Sequence, residues 1–341
     1  MKILITGACG FVGSCLTIEF LRKFPTWEIL GIDNFSRIGS RDNLPKLKSL
    51  GAEIVCGDIR NPADLDGFEG LDWIVDCAAN PSVLAGVEGS SRELIENNLY
   101  GTVNLLEVCK SLGCGFTLIS TSRVYSCNDL VDMPLTETKN RYQYELCENE
   151  IVGLGTKGVT ELFSTTPPLS LYGSSKLASE LLILEYSYLF GFPAYINRCG
   201  VMAGKGQFGK IDQGIVGYWI KSWVEKKPLK YIGFNGEGKQ TRDCLHPKDL
   251  VCLLKKQIAN KDESKPRIVN VSGGVENSFS LAELSRWCLK NIDTHEIGID
   301  PLDRKFDIPW LILDASLANK EWEWSVETKL EEIFTEILNN V

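Results

Sequence analysis

Thr6-Gly7-Ala8-Cys9-Gly10-Phe11-Val12-Gly13 follows the apolar run Ile3-Leu4-Ile5 and opens a stretch with helical periodicity. The glycine spacing has a physical reading. Gly7 permits a tight turn, Gly10 lets the backbone approach a pyrophosphate, and Gly13 lets the helix pack against the strand, while the helix N-terminus offers unpaired N–H groups to phosphate. Any tight strand-to-helix corner could carry glycines. The second signal is Asp33, at the end of the next β-branched run and 20 positions beyond Gly13, where a carboxylate can accept both hydroxyls of an adenosine ribose. Together they predict a dinucleotide site. A carboxylate there repels a 2′-phosphate, so NAD is expected over NADP, with Arg37 pulling the other way. Asp58-Ile59-Arg60, after the third run, reads either as an adenine contact or as a solvent-exposed turn.

Working outward, candidate strands at 3–6, 29–33, 54–56, 73–77, 116–120 and 194–198 alternate with candidate helices at 11–23, near 91–112 and at 174–189. That alternation predicts an α/β fold, a Rossmann-type doubly wound parallel sheet. After residue 198 the alternation weakens, and Gly-rich loops at 200–209 and 233–241 precede helices at 213–226, 281–291 and near the C-terminus. The organisation expected is a dinucleotide-binding domain over 1–198 and a smaller C-terminal substrate-binding lobe over 199–341, some of whose segments return to the first domain. The stretch 127–171 is longer than a connection requires and is expected to form a lid or a substrate wall.

The 341 residues are 44% hydrophobic and 24% charged, ordinary for a globular chain, and the formal charge of −9 disfavours a nucleic-acid or anionic-membrane partner. No run reaches the ~18 apolar residues of a membrane span. Twelve cysteines are scattered without a CxxC pair, and only His246 and His295 supply imidazole, so reduced core cysteines, no metal and a cytoplasmic location are expected. Cys199 and Cys244 lack an activating partner at defined spacing and are not read as nucleophiles. Trp219 and Trp223, one turn apart beside Tyr218, form either a packed helix face or a base-stacking platform.

Tyr172-Gly-Ser-Ser-Lys176 places a phenol and an ammonium one helical turn apart on one face, where the cation would favour the phenolate. The glycine motif, Asp33, the strand ending Ser120-Thr121 and this pair resemble the extended short-chain dehydrogenase/reductase family of nucleotide-sugar epimerases and dehydratases, over essentially the whole chain. The resemblance implies Thr121, Tyr172 and Lys176 as catalytic residues. It implies a cofactor shell of Gly7, Cys9, Gly10, Phe11, Val12, Gly13, Asp33, Asn34, Asp58, Ile59, Ala78, Ala79 and Asn98, together with Tyr172 and Lys176. Asn98 would be the structural or proton-relay asparagine of the fourth helix.

The tripeptide Thr121-Ser122-Arg123 bears on the chemistry. The family's 4,6-dehydratases carry an Asp-Glu acid–base pair where this chain has Ser122 and Arg123, so water elimination is not expected. That tripeptide, the 127–171 insert, Asp33-Asn34-x-Ser36-Arg37, Gly206-Gln207-Phe208, Asp212-Gln213-Gly214 and Gly238-Lys239-Gln240 resemble the branch that inverts C2 of a CDP-deoxysugar (CDP-paratose/CDP-tyvelose). A UDP- or GDP-sugar 4-epimerase and a noncatalytic NAD sensor are the alternatives. Where many 4-epimerases hold diphosphate with an asparagine, this chain has Val201, so Gln207, Lys210 or Arg242 is expected to hold the phosphates, and Ser122, Arg123 and Gln213 complete the expected substrate contacts. A homodimer or homotetramer through sheet-flanking helices is implied by the resemblance.

Overall fold

In the computed structural model, which describes residues 1–87, 89–145, 151–210 and 213–341, the glycine turn joins β1 (Lys2–Thr6) to α1 (Phe11–Lys23). Cys147 and Asp212 lie outside the described residues. β1 is an inner strand of a seven-stranded sheet. Its other strands are β2 (Glu28–Asp33), β3 (Glu53–Cys56), β4 (Trp73–Asp76), β5 (Gly115–Thr121), β6 (Ala194–Cys199) and β7 (Ile268–Val271). Their order is β3-β2-β1-β4-β5-β6-β7, with every pairing parallel. β4 and β5 are buried at every position, as parallel strands covered on both faces must be.

One face is packed by α1 and α6 (Leu250–Ala259), through Leu16, Phe20, Leu253 and Leu254. The other is packed by α3 (Gly101–Leu112) and α4 (Leu171–Phe190), through Leu105, Leu106 and Ile183 against Phe116 and Ile196. The six strands expected from sequence are present, and β7 is an addition supplied by the C-terminal half. α2 (Ser40–Ser49) is also additional: Pro45 lies inside it and only Ser40 and Leu47 are buried, so it has no apolar stripe for periodicity to detect.

The second lobe has its own core, where α5 (Ile215–Val224), α7 (Leu281–Asn291) and α8 (Leu330–Leu338) meet through Trp219, Leu284 and Phe334. α7 is opened by a reciprocal capping box, Ser280 with Glu283. Trp219 and Trp223 are 1% and 2% exposed, and their indole N–H groups donate to Ser285 Oγ and to the Asp293 carbonyl at 3.0 and 2.7 Å. They form a packed helix face, and Trp219 with Tyr218 also borders the cleft.

The 127–171 stretch corrects the expectation of a lid or substrate wall, because none of its described residues lines the cleft. It is instead a strap between the lobes. Its apolar residues Leu130, Val159 and Phe163 pack on residues 308–313 of the second lobe. Val159 exchanges main-chain hydrogen bonds with Ile312 and Asp314, both at 2.8 Å. Arg141 grips the Glu283 carboxylate through Nε and Nη2, at 2.8 and 2.5 Å, and donates to Ser278 Oγ at 2.7 Å. Apolar side chains on short hairpins bury themselves where a neighbouring surface is available, and here that surface is the second lobe.

Candidate active site

A continuous cleft of about 830 Å³ runs from the glycine turn, past the C-terminal ends of β2, β4, β5 and β6, into the second lobe. Gly7, Gly10, Phe11, Val12, Gly13, Asp33, Asn34, Ile59, Ala78 and Ala79 line its first half. The turn is a cradle that only glycine permits. Gly7 has φ +58°, and a Cβ on it would meet the Ala78 Cα at 3.1 Å, while a Cβ on Gly13 would collide with the Gly7 carbonyl. Gly10 caps α1 without a side-chain bond, and the first turn carries no acidic residue, leaving the N–H groups and the helix dipole for an anion. Asp33 accepts from the Cys9 N–H at 2.9 Å and the Phe35 N–H at 2.8 Å while facing the cleft. Backbone approach to a pyrophosphate, an anion-ready helix and a carboxylate at the ribose position are what NAD requires, so these residues fit the cofactor.

Cys9, Asp58 and Asn98 do not line the cleft wall themselves. The Cys9 side chain is buried and only its backbone serves the turn, holding Asp33. Asp58 is clamped by Arg60 Nη2 at 2.7 Å and Asn34 Nδ2 at 3.0 Å, and the Arg60 hydrogen bond holds its carboxyl at about 2. The neighbouring Ile59 is the residue that lines the wall. Asn98 is a buried brace. Its Oδ1 accepts from the Asn80 N–H at 2.8 Å, and its Nδ2 donates to the Asn80 carbonyl and to Ser175 Oγ at 3.1 and 3.3 Å. It occupies a π-helical turn, Glu96–Tyr100, which turns the amide toward α4, while the adjacent Asn97 reaches the cleft.

Thr121, Ser122, Arg123 and Tyr172 come together at the middle of the cleft. Tyr172 is on the first turn of α4, whose N-cap Ser170 accepts from the Gly173 N–H at 3.0 Å. A Cβ on Gly173 would collide with the Arg123 carbonyl, so this glycine lets α4 dock against the tripeptide. Burial pushes the Tyr172 phenol up to about 12, opposed by a hydrogen bond with the Thr121 hydroxyl and by the Arg123 charge. Lys176 is 1% exposed and does not reach the cleft wall. Burial pushes its ammonium pKa down, against the pull of Asp76 and Glu180. The expected lowering of the phenol by Lys176 is therefore not the dominant effect; desolvation is. Cys199 lines the cleft, but burial pushes its thiol up to about 12, and Cys244 is raised likewise, so neither offers a thiolate.

Sequence reasoning missed Thr6 and Asp76. The Thr6 hydroxyl donates to Asp76 at 2.6 Å and accepts from the Cys77 and Ala78 N–H groups, both at 3.0 Å, fixing the loop that carries Ala78 and Ala79. It missed Arg304 and Asp307 as well. Both line the far half of the cleft with Arg242, Gln207 and Gln213. Arg242 donates to the Ile308 carbonyl at 2.6 Å and pairs with Asp307 at 3.4 Å. Burial and the nearby Arg123 charge push Arg242 down to about 9. Three guanidiniums, Arg123, Arg242 and Arg304, thus surround the carboxylate of Asp307, a balance that an anion relieves. Lys210 is exposed and outside the cleft lining, whereas Arg304 lines it. The charged run from Asp303 to Asp307 was the available signal, but no spacing tied it to Arg242.

Fold and cleft together define an NAD-dependent enzyme with a Rossmann sheet and a second lobe that lines the cleft with guanidinium groups. The chain belongs to the NAD dependent epimerase/dehydratase family, whose model matches residues 3–272. It is 35% identical over 337 residues to CDP-paratose 2-epimerase of Salmonella typhi, covering 95% of this chain and 94% of that one. It is 24% identical over 341 residues to UDP-glucose 4-epimerase of Corynebacterium glutamicum, covering 96% and 91%. Its fold matches the crystal structure of UDP-glucuronic acid 4-epimerase from Bacillus cereus in complex with UDP-glucuronic acid and NAD, with a TM-score of 0.79, 25% identity and 100% and 98% coverage.

Proposed function

We propose that this chain is a 2-epimerase of a CDP-deoxysugar of the CDP-paratose/CDP-tyvelose type. The observation that carries the reading is Thr121-Ser122-Arg123 beside Tyr172 in the cleft: a hydroxyl, a hydroxyl and a guanidinium, with no carboxyl pair to eliminate water. The 35% identity to a CDP-paratose 2-epimerase over 95% of the chain supports the sugar and the carbon.

Bound NAD supplies a reversible hydride acceptor and a positive charge beside the reacting carbon. Tyr172 Oη takes the proton from the sugar hydroxyl, directly or through Thr121 Oγ1, and returns one in the second half-reaction. Lys176 and the Arg123 charge favour the phenolate against burial. Gly7, Gly10 and Gly13 hold the dinucleotide phosphates, Asp33 the ribose, and Arg242 with Arg304 and Gln207 the substrate diphosphate. The sugar ring turns between the half-reactions, so the same residues act on both faces of one carbon.

A homodimer is proposed through α3 and α4, where Leu181, Tyr188 and Leu189 are 60%, 85% and 65% exposed. No helix among the described residues is long and apolar enough to cross a membrane, and a cytoplasmic location fits that. Proton NMR with CDP-paratose in deuterated buffer tests the function. Inversion at C2 without deuterium uptake is expected; inversion at C4 of a UDP-sugar, with CDP-paratose unchanged, would replace this reading with a 4-epimerase.

A further inference from the structure

We propose that Arg37 and Phe208 form a clasp across the cleft that retains the dinucleotide through the catalytic cycle. The two residues belong to opposite walls. Arg37 follows Asp33 in the first lobe, Phe208 lies 171 residues later in the second, and both line the cleft. Arg37 Nη2 donates to the main-chain carbonyl of Phe208. The Phe208 ring also lies against Gly39, where φ is +88° and a Cβ would collide with three ring carbons. A glycine at 39 therefore lets the aromatic ring close onto the backbone of the first lobe.

Each side of the clasp is anchored. The Arg37 carbonyl accepts from the Ser40 N–H at 3.0 Å and from Ser40 Oγ at 2.7 Å. Asn43 Nδ2 donates to the Cys9 carbonyl at 2.9 Å, tying α2 to the glycine turn. On the opposite wall, Gln207 Nε2 donates to the Met202 carbonyl at 2.8 Å. The segment after Asp33 is thus fixed to the cradle beneath it and bolted to the second lobe above it. A guanidinium-to-carbonyl bond with an aromatic ring closed onto backbone makes a reversible bridge, which opens only when both contacts break. It also gives Arg37 an occupation other than a 2′-phosphate.

The chemistry requires such a device. An epimerase that gives hydride back must keep the reduced cofactor, because its loss strands an oxidised sugar. The inference rests on that epimerase reading for its purpose, and on NAD binding for its measurement.

Dissociation of NADH from loaded protein, followed by fluorescence during a chase with excess NAD, tests it on the wild type and on Arg37→Ala, Arg37→Gln and Phe208→Ala. Near-ultraviolet circular dichroism reports that each remains folded; Arg37→Gln, close in length and on a half-exposed loop, is the variant least disturbing to the fold. Release at least ten-fold faster in Arg37→Ala and Phe208→Ala, an intermediate rate for Arg37→Gln and a rise in free NADH per turnover are expected. Wild-type release rates in all three folded variants overturn the clasp while leaving the epimerase reading intact. Weakened NADPH rather than NADH binding in the Arg37 variants also overturns it, assigning Arg37 to a phosphate. Retained NADH with no sugar nucleotide turned over by the wild type removes the epimerase reading but not the clasp.

Discussion

At Tyr172 the fold works against the chemistry. A phenol pushed up to about 12 favours its neutral form, so this group adds stability below pH ~10 that is lost as pH rises from there toward 12. Making the phenolate near neutrality therefore costs roughly 3 kcal/mol more than in water. A single positive charge about 5 Å away offsets about that much at an effective dielectric near 20. The Arg123 charge already acts within that value, so the offset is left to a further charge such as that of bound NAD. Tyr172→Phe is expected to lower kcat by about 10²–10⁴-fold while leaving bound NAD at wild-type content, read by acid release and absorbance. Arg123→Met should move the acid limb of the kcat/KM profile to higher pH, with a larger loss at pH 7 than at pH 9. An unshifted limb would leave Arg123 as a substrate contact alone.

At the scale of the element, α4 carries the site because of what it packs against. Tyr172, Lys176 and Glu180 fall on one stripe at a spacing of four. Glu180 pairs with Arg198 of β6 at 2.7 Å, both nearly fully buried, and accepts from Ser120 Oγ of β5 at 2.5 Å. The helix is therefore bolted to both strands beneath it, and Gly173 sets how closely its first turn approaches Arg123. Gly173→Ala is expected to destabilise by about 1–3 kcal/mol, since the added carbon meets backbone that cannot rotate away. The same shift should lower kcat at least ten-fold, by analogy with small misplacements of reacting groups. Chemical denaturation and steady-state kinetics measure the two losses. Normal activity in a destabilised variant would show that the first turn need not sit so close.

Across the whole molecule, the two lobes are held in register by the 127–171 strap. Arg141 reaches Glu283 and Ser278, and Ser278 lies on the strand that pairs with the one bearing Arg242. The strap thus supports the Arg242 end of the cleft without lining it. Arg141→Ala is expected to cost about 1–2 kcal/mol, because the pair is half-buried and its solvent screening reduces it. It should raise KM for the sugar nucleotide several-fold with NAD content unchanged. Titration of substrate against the variant, with cofactor quantified in parallel, separates these; a loss of NAD instead would place the strap's influence on the other half.

The local motifs were legible in the sequence because their chemistry is set by near neighbours. Gly7, Gly10, Gly13 and Asp33 form a cradle whose geometry follows from one strand–turn–helix–strand unit, and Tyr172 with Lys176 follows from helical spacing. The six alternating strands followed from periodicity for the same reason. β7, the strap, the Asn98 brace and the Arg242–Asp307 pair were decided only by tertiary structure. Each joins segments tens to hundreds of residues apart, and nothing in either segment alone specifies its partner. Lys176 shows the same division within one residue. Its spacing from Tyr172 was written in the chain, but burial, which only the packed fold creates, dominates the phenol, and the groups that oppose it are Thr121 and Arg123.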